Sequence, residues 1–147
     1  MDDTLKRIEG TWEIVATNFP MWTSGKNHNP QISYSKVSED SSYLTDTVQF
    51  EKNDKIRKII GRDLYQGGKF IWRGKGILKL LKSEWSVIYL SDDVLMIEFE
   101  KSMVTPSGID VLVRKNSKID SRQEVSDILL KTNKVEKSTL DELLWLN

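Results

Sequence analysis

The feature that most constrains the fold is a two-residue alternation of apolar and other side chains, repeated in eight short segments between residues 10 and 115. At residues 94–101, for example, Leu95, Ile97 and Phe99 fall on one side of an extended chain. Turn signals such as Gly67-Gly68 separate the segments. Antiparallel strands joined in this way form a sandwich or close into an up-and-down barrel. The predicted strands are residues 11–17, 31–36, 43–50, 55–65, 69–74, 84–90, 94–101 and 109–114.

The apolar period changes near Ser121. Ser121 and Glu124 form a capping box, which predicts the start of a helix over residues 121–133. A second short helix is predicted to begin at Ser138. Each helix has one apolar face, so both are expected to pack on the outside of the sheet. The chain of 147 residues is predicted to be one domain, with a barrel at about 10–115 and a helical tail at about 121–146.

The balance of charged residues gives no electrostatic case for a strongly charged partner. Lysine and arginine together number 22, as do aspartate and glutamate, so the formal net charge is zero. Net charge gives no reason to expect nucleic acid or an anionic membrane surface as a partner, and no apolar run is long enough for stable membrane insertion. The chain has no cysteine, and its first residues lack the apolar stretch of a signal peptide. These features predict a cytoplasmic protein.

Three features together resemble the lipocalin (calycin) family. Gly10-Thr11-Trp12 matches the Gly-x-Trp motif that opens the family's first strand, Arg114 ends the last predicted strand, and a capped helix follows. The resemblance covers about residues 8–133. It implies an all-β fold, an eight-stranded antiparallel up-and-down barrel with a C-terminal helix packed on the outside. It also implies that Gly10, Trp12 and Arg114 close the base of the barrel, with the arginine stacked on the tryptophan.

A closer likeness is to small microbial cytosolic lipocalin-like proteins. It rests on Phe19-Pro20-Met21-Trp22, on Trp72-Arg73-Gly74-Lys75-Gly76, and on residues 99–110, which include a predicted type I turn at 105–108. The Thr-Asp-Tyr motif of the wider family is absent, and Ser91-Asp92-Asp93 stands in its place.

The resemblance implies a cup that opens opposite Trp12 and holds a small hydrophobic or amphipathic ligand. Ile14 and Ala16 are expected to face inward because Trp12 does, whereas the inward phase of the next six strands stays open. Trp22 is predicted to cover the mouth or contact the ligand, since its loop carries three large apolar side chains. The predicted ligand-binding residues are Trp22, Tyr34, Phe50, Asp63, Trp72, Arg73, Trp85, Met96 and Glu98.

Catalytic chemistry has little support in the sequence. His28 is the single histidine, so no metal site, no cofactor and no Ser-His-Asp triad is predicted. Asp63 and Glu98 could act as general acid and base if both lay inside an apolar cup. Arg73, if it faces inward, needs one of these acids or a ligand carboxylate as its partner.

Three functions stay open on this sequence. The first is binding or transport of a small hydrophobic ligand, such as a fatty acid, terpenoid, pigment or polyketide. The second is an enzyme on the same barrel that isomerises or cyclises a terpenoid or polyketide. In the third, aromatic side chains fill the barrel and the protein works through its outer surface, with the apolar tail at residues 140–146 as a candidate homodimer contact.

Overall fold

The strands of this chain close on themselves. The computed structural model describes residues 2–76, 81–102 and 106–146, and within them the first strand pairs with both the second and the eighth. The result is an eight-stranded antiparallel barrel with a helix packed outside, which confirms the predicted fold class. The barrel strands are β1 (Gly10–Thr17), β2 (His28–Lys36), β3 (Tyr43–Lys52), β4 (Lys55–Gln66), β5 (Lys69–Gly74), β6 (Lys82–Leu90), β7 (Val94–Phe99) and β8 (Gly108–Arg114).

Short helices and one further strand complete the described chain. They are α1 (Thr4–Ile8), α2 (Pro20–Thr23), α3 (Arg122–Leu130), α4 (Lys137–Asp141) and β9 (Leu144–Trp145). The turn predicted at residues 105–108 begins at Thr105, which lies outside the described residues. No helix in the described ranges is long and apolar enough to cross a membrane.

Two β-bulges change which side chains face inward. The ladder between β1 and β8 shifts between Ile14 and Ala16, so Ile14 packs in the barrel interior and Ala16 packs outside. The prediction that Ala16 faces inward is therefore wrong, because one extra residue reverses the phase of every side chain that follows. The ladder between β6 and β7 shifts between Val87 and Tyr89 in the same way. Val87 therefore packs against the barrel interior and Tyr89 against the outer side.

Two apolar clusters stabilise the fold, one inside the barrel and one between the barrel wall and the tail. The interior cluster contains Ile8, Trp12, Ile14, Phe19, Trp22, Ile32, Tyr34, Leu44, Phe50, Phe70, Trp85, Leu95, Ile97 and Leu112. The outer cluster contains Ala16, Val94, Met96, Val111, Val113, Val125, Leu129, Val135, Leu140 and Leu143.

The tail packs on its own barrel. The Ser121 hydroxyl accepts a hydrogen bond from the Glu124 amide at 3.1 Å, so α3 begins at the predicted capping box. The helix ends at Leu130, three residues before the predicted end. The chain then returns to the barrel, where β9 pairs with β1 and the Leu146 amide donates to the Val15 carbonyl at 2.7 Å.

The base of the barrel is organised around Trp12. Its side chain is fully buried, and its indole Nε1 donates to the Ile8 carbonyl at 2.9 Å. The Arg114 guanidinium lies 4.0 Å from the centre of the indole ring. It also donates to three backbone carbonyls, those of Arg7, Glu9 and Asp92, at 2.6–2.9 Å. One side chain thus ties the ends of the barrel strands to the N-terminal segment.

Gly10 makes this approach sterically feasible. Its φ is +120°, and a Cβ at this position would lie 2.5 Å from Nη1 of Arg114. Any side chain here would push the guanidinium away from Trp12.

Candidate functional site

Three aspartates and one tyrosine are buried in the barrel, and two of the acids are neighbours. Asp46 on β3 lies opposite Tyr34 on β2, and Asp46 also pairs with Gly61 on β4, two residues from Asp63. Diagonal neighbours on one face of a sheet are within reach of each other. Asp46, Asp63 and Tyr34 therefore form a polar group inside an otherwise apolar interior.

The two carboxyl groups have unused hydrogen-bonding capacity. One oxygen of Asp63 accepts from the Trp85 indole Nε1 at 3.0 Å. Within the described residues, no group outside the pair donates to its other oxygen, Oδ2, or to Oδ1 of Asp46, and the hydroxyl of Ser83 also lacks a partner. Buried polar atoms without partners are costly, so their clustering marks a place where a ligand or a shared proton is expected.

Burial and proximity keep this pair partly protonated. Burial, together with the neighbouring Asp46 carboxylate, raises the pKa of Asp63 well above its usual range. Burial also raises the pKa of Asp46, while a hydrogen bond from Asp63 opposes that rise. The pair therefore titrates as a unit and retains a proton between its two carboxyl groups. Burial and the nearby acids raise the pKa of Tyr34, which stays a neutral phenol.

A chain of aromatic rings leads from this pair to the end of the barrel opposite Trp12. Trp85 is stacked on Phe70 with ring centres 4.1 Å apart, and it contacts Tyr34 at 5.5 Å and Phe99 at 6.1 Å. Phe99 in turn meets Phe19 edge to face at 5.1 Å. Aromatic side chains thus occupy the interior between the acidic pair and the first loop.

The first loop covers that end of the barrel. Phe19 precedes α2, and Trp22, which α2 carries, packs edge to face on Phe50 with ring centres 5.5 Å apart. Trp22 and Phe19 are both buried, so the loop closes the mouth with apolar side chains.

A third buried acid anchors this loop. Thr17 donates to Asp110 Oδ1 at 2.7 Å, and the Phe19 amide donates to the Thr17 hydroxyl at 3.0 Å. Burial raises the pKa of Asp110 to about 7, although the hydrogen bond from Thr17 opposes the rise. The acid thus titrates near neutral pH while it holds the residue that leads into α2.

Six of the nine predicted ligand-binding residues lie in or against the interior. They are Trp22, Tyr34, Phe50, Asp63, Trp72 and Trp85. Trp72 is half-buried, and its indole passes over Gly61, where a Cβ would lie 2.3 Å from Nε1.

The other three face outward, and these predictions need correction. Met96 is buried in the outer cluster, because Leu95 and Ile97 take the inward phase of β7. Glu98 follows the same outward phase and is exposed. Arg73 is exposed because Trp72 packs against the interior. Asp63 therefore has neither Glu98 nor Arg73 as a partner.

The partner that the sequence reasoning missed is Asp46. Asp46 lies on the same side of β3 as Leu44, Val48 and Phe50, so the alternation of side chains predicts an acid at an inward position. Asp110 is likewise in phase with Leu112. Thr17 could not be found in this way because the β1 bulge changes its phase.

A separate groove of about 500 Å³ lies against β1, between the first loop and the tail. Its lining includes Glu13, Val15, His28 and Trp145. Arg122 lies over the Trp145 ring at 5.0 Å, and the buried indole Nε1 of Trp145 has no hydrogen-bond partner among the residues that the structure describes. Within the described residues, no cluster of three or more His, Asp or Glu side chains could hold a metal ion.

Comparison with known proteins places the fold. The siderocalin Ex-FABP superposes with a TM-score of 0.64 at 12% identity, covering 95% of this chain and 93% of that one. The chain has a lipocalin-like fold. Lobster apocrustacyanin A1 gives a TM-score of 0.64 at 10% identity over 96% of this chain and 77% of that one. Aphrodisin, a sex pheromone from female hamster, gives 0.57 at 12% identity over 84% of each chain. No family model and no curated protein matches the chain.

Proposed function

We propose that the barrel binds a small, mainly hydrophobic molecule through its interior, with one polar group of the ligand at Asp46 and Asp63. The observation that carries this proposal is the pair of buried carboxyl groups within a wall of aromatic rings, in which one oxygen of each acid receives no hydrogen bond from outside the pair. Ligand sites of this kind are mostly apolar, with a few polar groups that fix the orientation.

The chemistry of the pair favours a hydrogen-bond donor on the ligand. Two carboxyl groups that share one proton carry one negative charge between them and offer acceptor oxygens. A hydroxyl or an ammonium group can satisfy these oxygens, whereas a carboxylate would bring two like charges together in a low-dielectric site. The siderocalin Ex-FABP functions through dual ligand specificities, which supports ligand binding as a use of this fold.

Entry requires the aromatic rings to move. The route from the mouth runs along Phe19, Phe99 and Trp85 towards the acidic pair. Displacement of α2 would expose this route, and α2 is a single short helix. A ligand in the interior would contact the buried tryptophans, so tryptophan fluorescence should change directly on binding.

The test is a titration followed by tryptophan fluorescence, with dodecanol, dodecylamine and dodecanoate as probes of equal chain length. We expect quenching by the alcohol and the amine and weaker quenching by the carboxylate. The double variant Asp46→Asn, Asp63→Asn should weaken amine binding by about tenfold or more, because the site loses its charge. The matched control is Asp120→Asn, an exposed acid outside the barrel. Equal binding of all three probes, or none at all, would contradict the proposal.

A second candidate function is isomerisation of a bound hydrophobic molecule. Two carboxyl groups with pKa values driven apart can act as acid and base on one substrate. Asp63 would give a proton to one carbon of an alkene while Asp46 takes a proton from another, so the double bond moves and no co-reactant is needed. Incubating the ligand from the host with the protein in D₂O tests this, since isomerisation would incorporate deuterium and simple carriage would not.

A further inference from the structure

Two neighbouring strands of the barrel are strongly basic on their outer side. β4 and β5 together carry six lysines and arginines, of which Lys58, Arg62, Lys69 and Arg73 lie in the outward phase, and Lys69 is paired with Glu100. Their one acid, Asp63, is buried inside. Because Ile59 and Asp63 face inward, Lys58 and Arg62 face outward. The neutral net charge of the chain thus conceals a local excess of positive charge.

The register of the sheet aligns three of these cations. Arg62 on β4 pairs with Arg73 on β5, and Arg73 pairs with Lys82 on β6. Like charges directly opposite each other on a sheet are destabilising. Lys82 lies 3.6 Å from Glu84, but within the described chain neither Arg62 nor Arg73 forms a salt bridge. Within the described residues, the row therefore has one internal acid, Glu84, which pairs with Lys82 and leaves the two arginines without a salt bridge.

Exposed apolar side chains alternate with the cations on the same strand. Ile56 is 65% exposed and Ile60 is 39% exposed, and they flank Lys58 on the outer side of β4. Tyr43, on the adjacent β3, is 42% exposed. We name the surface formed by Tyr43, Ile56, Lys58, Ile60, Arg62, Arg73 and Lys82 the β4 face.

The β4 face is too extended for one small anion. Lys58 and Arg62 are four residues apart on a strand, which is about 13 Å. Lys82 lies two strands away from β4, about 10 Å across the sheet. A shallow depression of about 230 Å³ between Tyr43, Leu64 and Ile71 brings apolar groups among the cations. The complementary surface must be broad, negatively charged and partly apolar.

We propose that the β4 face binds the surface of a membrane that contains anionic lipid. Lipid phosphates would meet Lys58, Arg62, Arg73 and Lys82, while Ile56 and Ile60 enter the boundary between headgroups and acyl chains. The binding is peripheral, because the barrel wall lies on the surface of the bilayer. Docking in this way would bring the barrel close to a source of hydrophobic molecules.

The experiment is co-sedimentation with vesicles of phosphatidylcholine alone or of phosphatidylcholine mixed with phosphatidylglycerol. The protein should sediment with the mixed vesicles and not with the neutral ones, and added sodium chloride should release it. The double variant Arg62→Gln, Arg73→Gln should bind the mixed vesicles at least about tenfold more weakly. The matched control is Lys131→Gln, Lys134→Gln, which removes the same charge from exposed positions beside α3 and should bind like the wild type.

A second pair of substitutions tests the apolar part of the face. Ile56→Ser, Ile60→Ser should weaken vesicle binding without changing its dependence on salt. All of these positions are exposed, so folding should be retained, as urea unfolding would verify. The proposal is wrong if the protein ignores mixed vesicles or if the control pair loses as much binding as the arginine pair. It is also wrong if only polyglutamate binds in an Arg62-dependent way, which would indicate an acidic protein partner instead.

Discussion

Buried acids dominate the chemistry at the scale of single residues. Asp46, Asp63 and Asp110 all lie at inward positions, and burial raises the pKa of each. Asp46 and Asp63 influence each other, whereas Asp110 accepts a hydrogen bond from Thr17 and supports the loop that closes the barrel. The interior therefore has two distinct titrating sites, the Asp46–Asp63 pair and Asp110 beside the closing loop.

Asp110 makes the stability of the fold depend on pH. Its pKa is about 7 in the folded protein and 3.8 as an ordinary value. Between these values the folded protein holds a proton that the unfolded chain has lost. The stability that Asp110 contributes to the free energy of unfolding is therefore fully present below pH 3.8. It is lost as the pH rises through about 7, by up to about 1.4 kcal/mol per pH unit. We expect Asp110→Asn to remove this part of the dependence on pH when the free energy of unfolding is measured with urea from pH 4 to pH 8.

Asp63 and Asp46 change the free energy of unfolding with pH in the same direction as Asp110. The Asp110→Asn variant should therefore reduce the pH dependence rather than abolish it. Asp120→Asn, at an exposed position, should leave the slope unchanged. An Asp110→Asn protein with the wild-type slope would mean that Asp110 is ionised throughout this range.

At the scale of elements, α2 depends on a close contact with β8. Gly108 begins β8, and a Cβ there would lie 2.7 Å from Cζ of Phe19 and 2.8 Å from Oδ1 of Asn18. Asn18 Oδ1 also accepts from the Ile109 amide at 2.7 Å. The loop that leads into α2 is thus held against the start of the last barrel strand, where only a glycine leaves room.

We expect Gly108→Ala to loosen this closure. The added methyl group must displace the Phe19 ring or the Asn18 amide, which should cost about 1–3 kcal/mol in the free energy of unfolding. Acrylamide should then quench Trp22 fluorescence more strongly, because its helix is less firmly seated. Ser107→Ala, at the exposed neighbouring position, serves as the control. Unchanged stability together with unchanged quenching would show that the contact does not hold α2.

At the scale of the whole molecule, charge is unevenly distributed over a neutral chain. Arg73 lies directly opposite both Arg62 and Lys82, and like charges in such positions repel each other on a sheet. Binding to a negatively charged surface would offset this repulsion. Stability and membrane binding should therefore respond in opposite ways to one substitution.

Arg73→Glu provides this test. Glutamate would lie between Arg62 and Lys82, so two repulsive pairs would become attractive and the melting temperature should rise by about 1–3 °C. Binding to vesicles that contain phosphatidylglycerol should fall. Lys131→Glu changes the net charge equally but should alter neither property. A lower melting temperature for Arg73→Glu would argue against repulsion in the row.

The sequence by itself determined the features that depend on local chemistry. Alternation predicted all eight barrel strands, because a side chain on a strand must point to one face or the other. The capping box at Ser121 located the start of α3, since its hydrogen bond joins residues only three apart. Gly10, Trp12 and Arg114 could be singled out through the family resemblance, and the structure brings them together at the base.

Only the tertiary structure decided how the strands align. The bulge that turns Ala16 outward and Thr17 towards Asp110 depends on pairing between β1 and β8, far apart in the chain. The inward phase of β7, which leaves Met96 and Glu98 outside, depends on packing against the tail. Alternation could place Asp46 and Asp63 inward one at a time, but not side by side. Contacts between strands are set by register, and register is a property of the closed barrel rather than of any one segment.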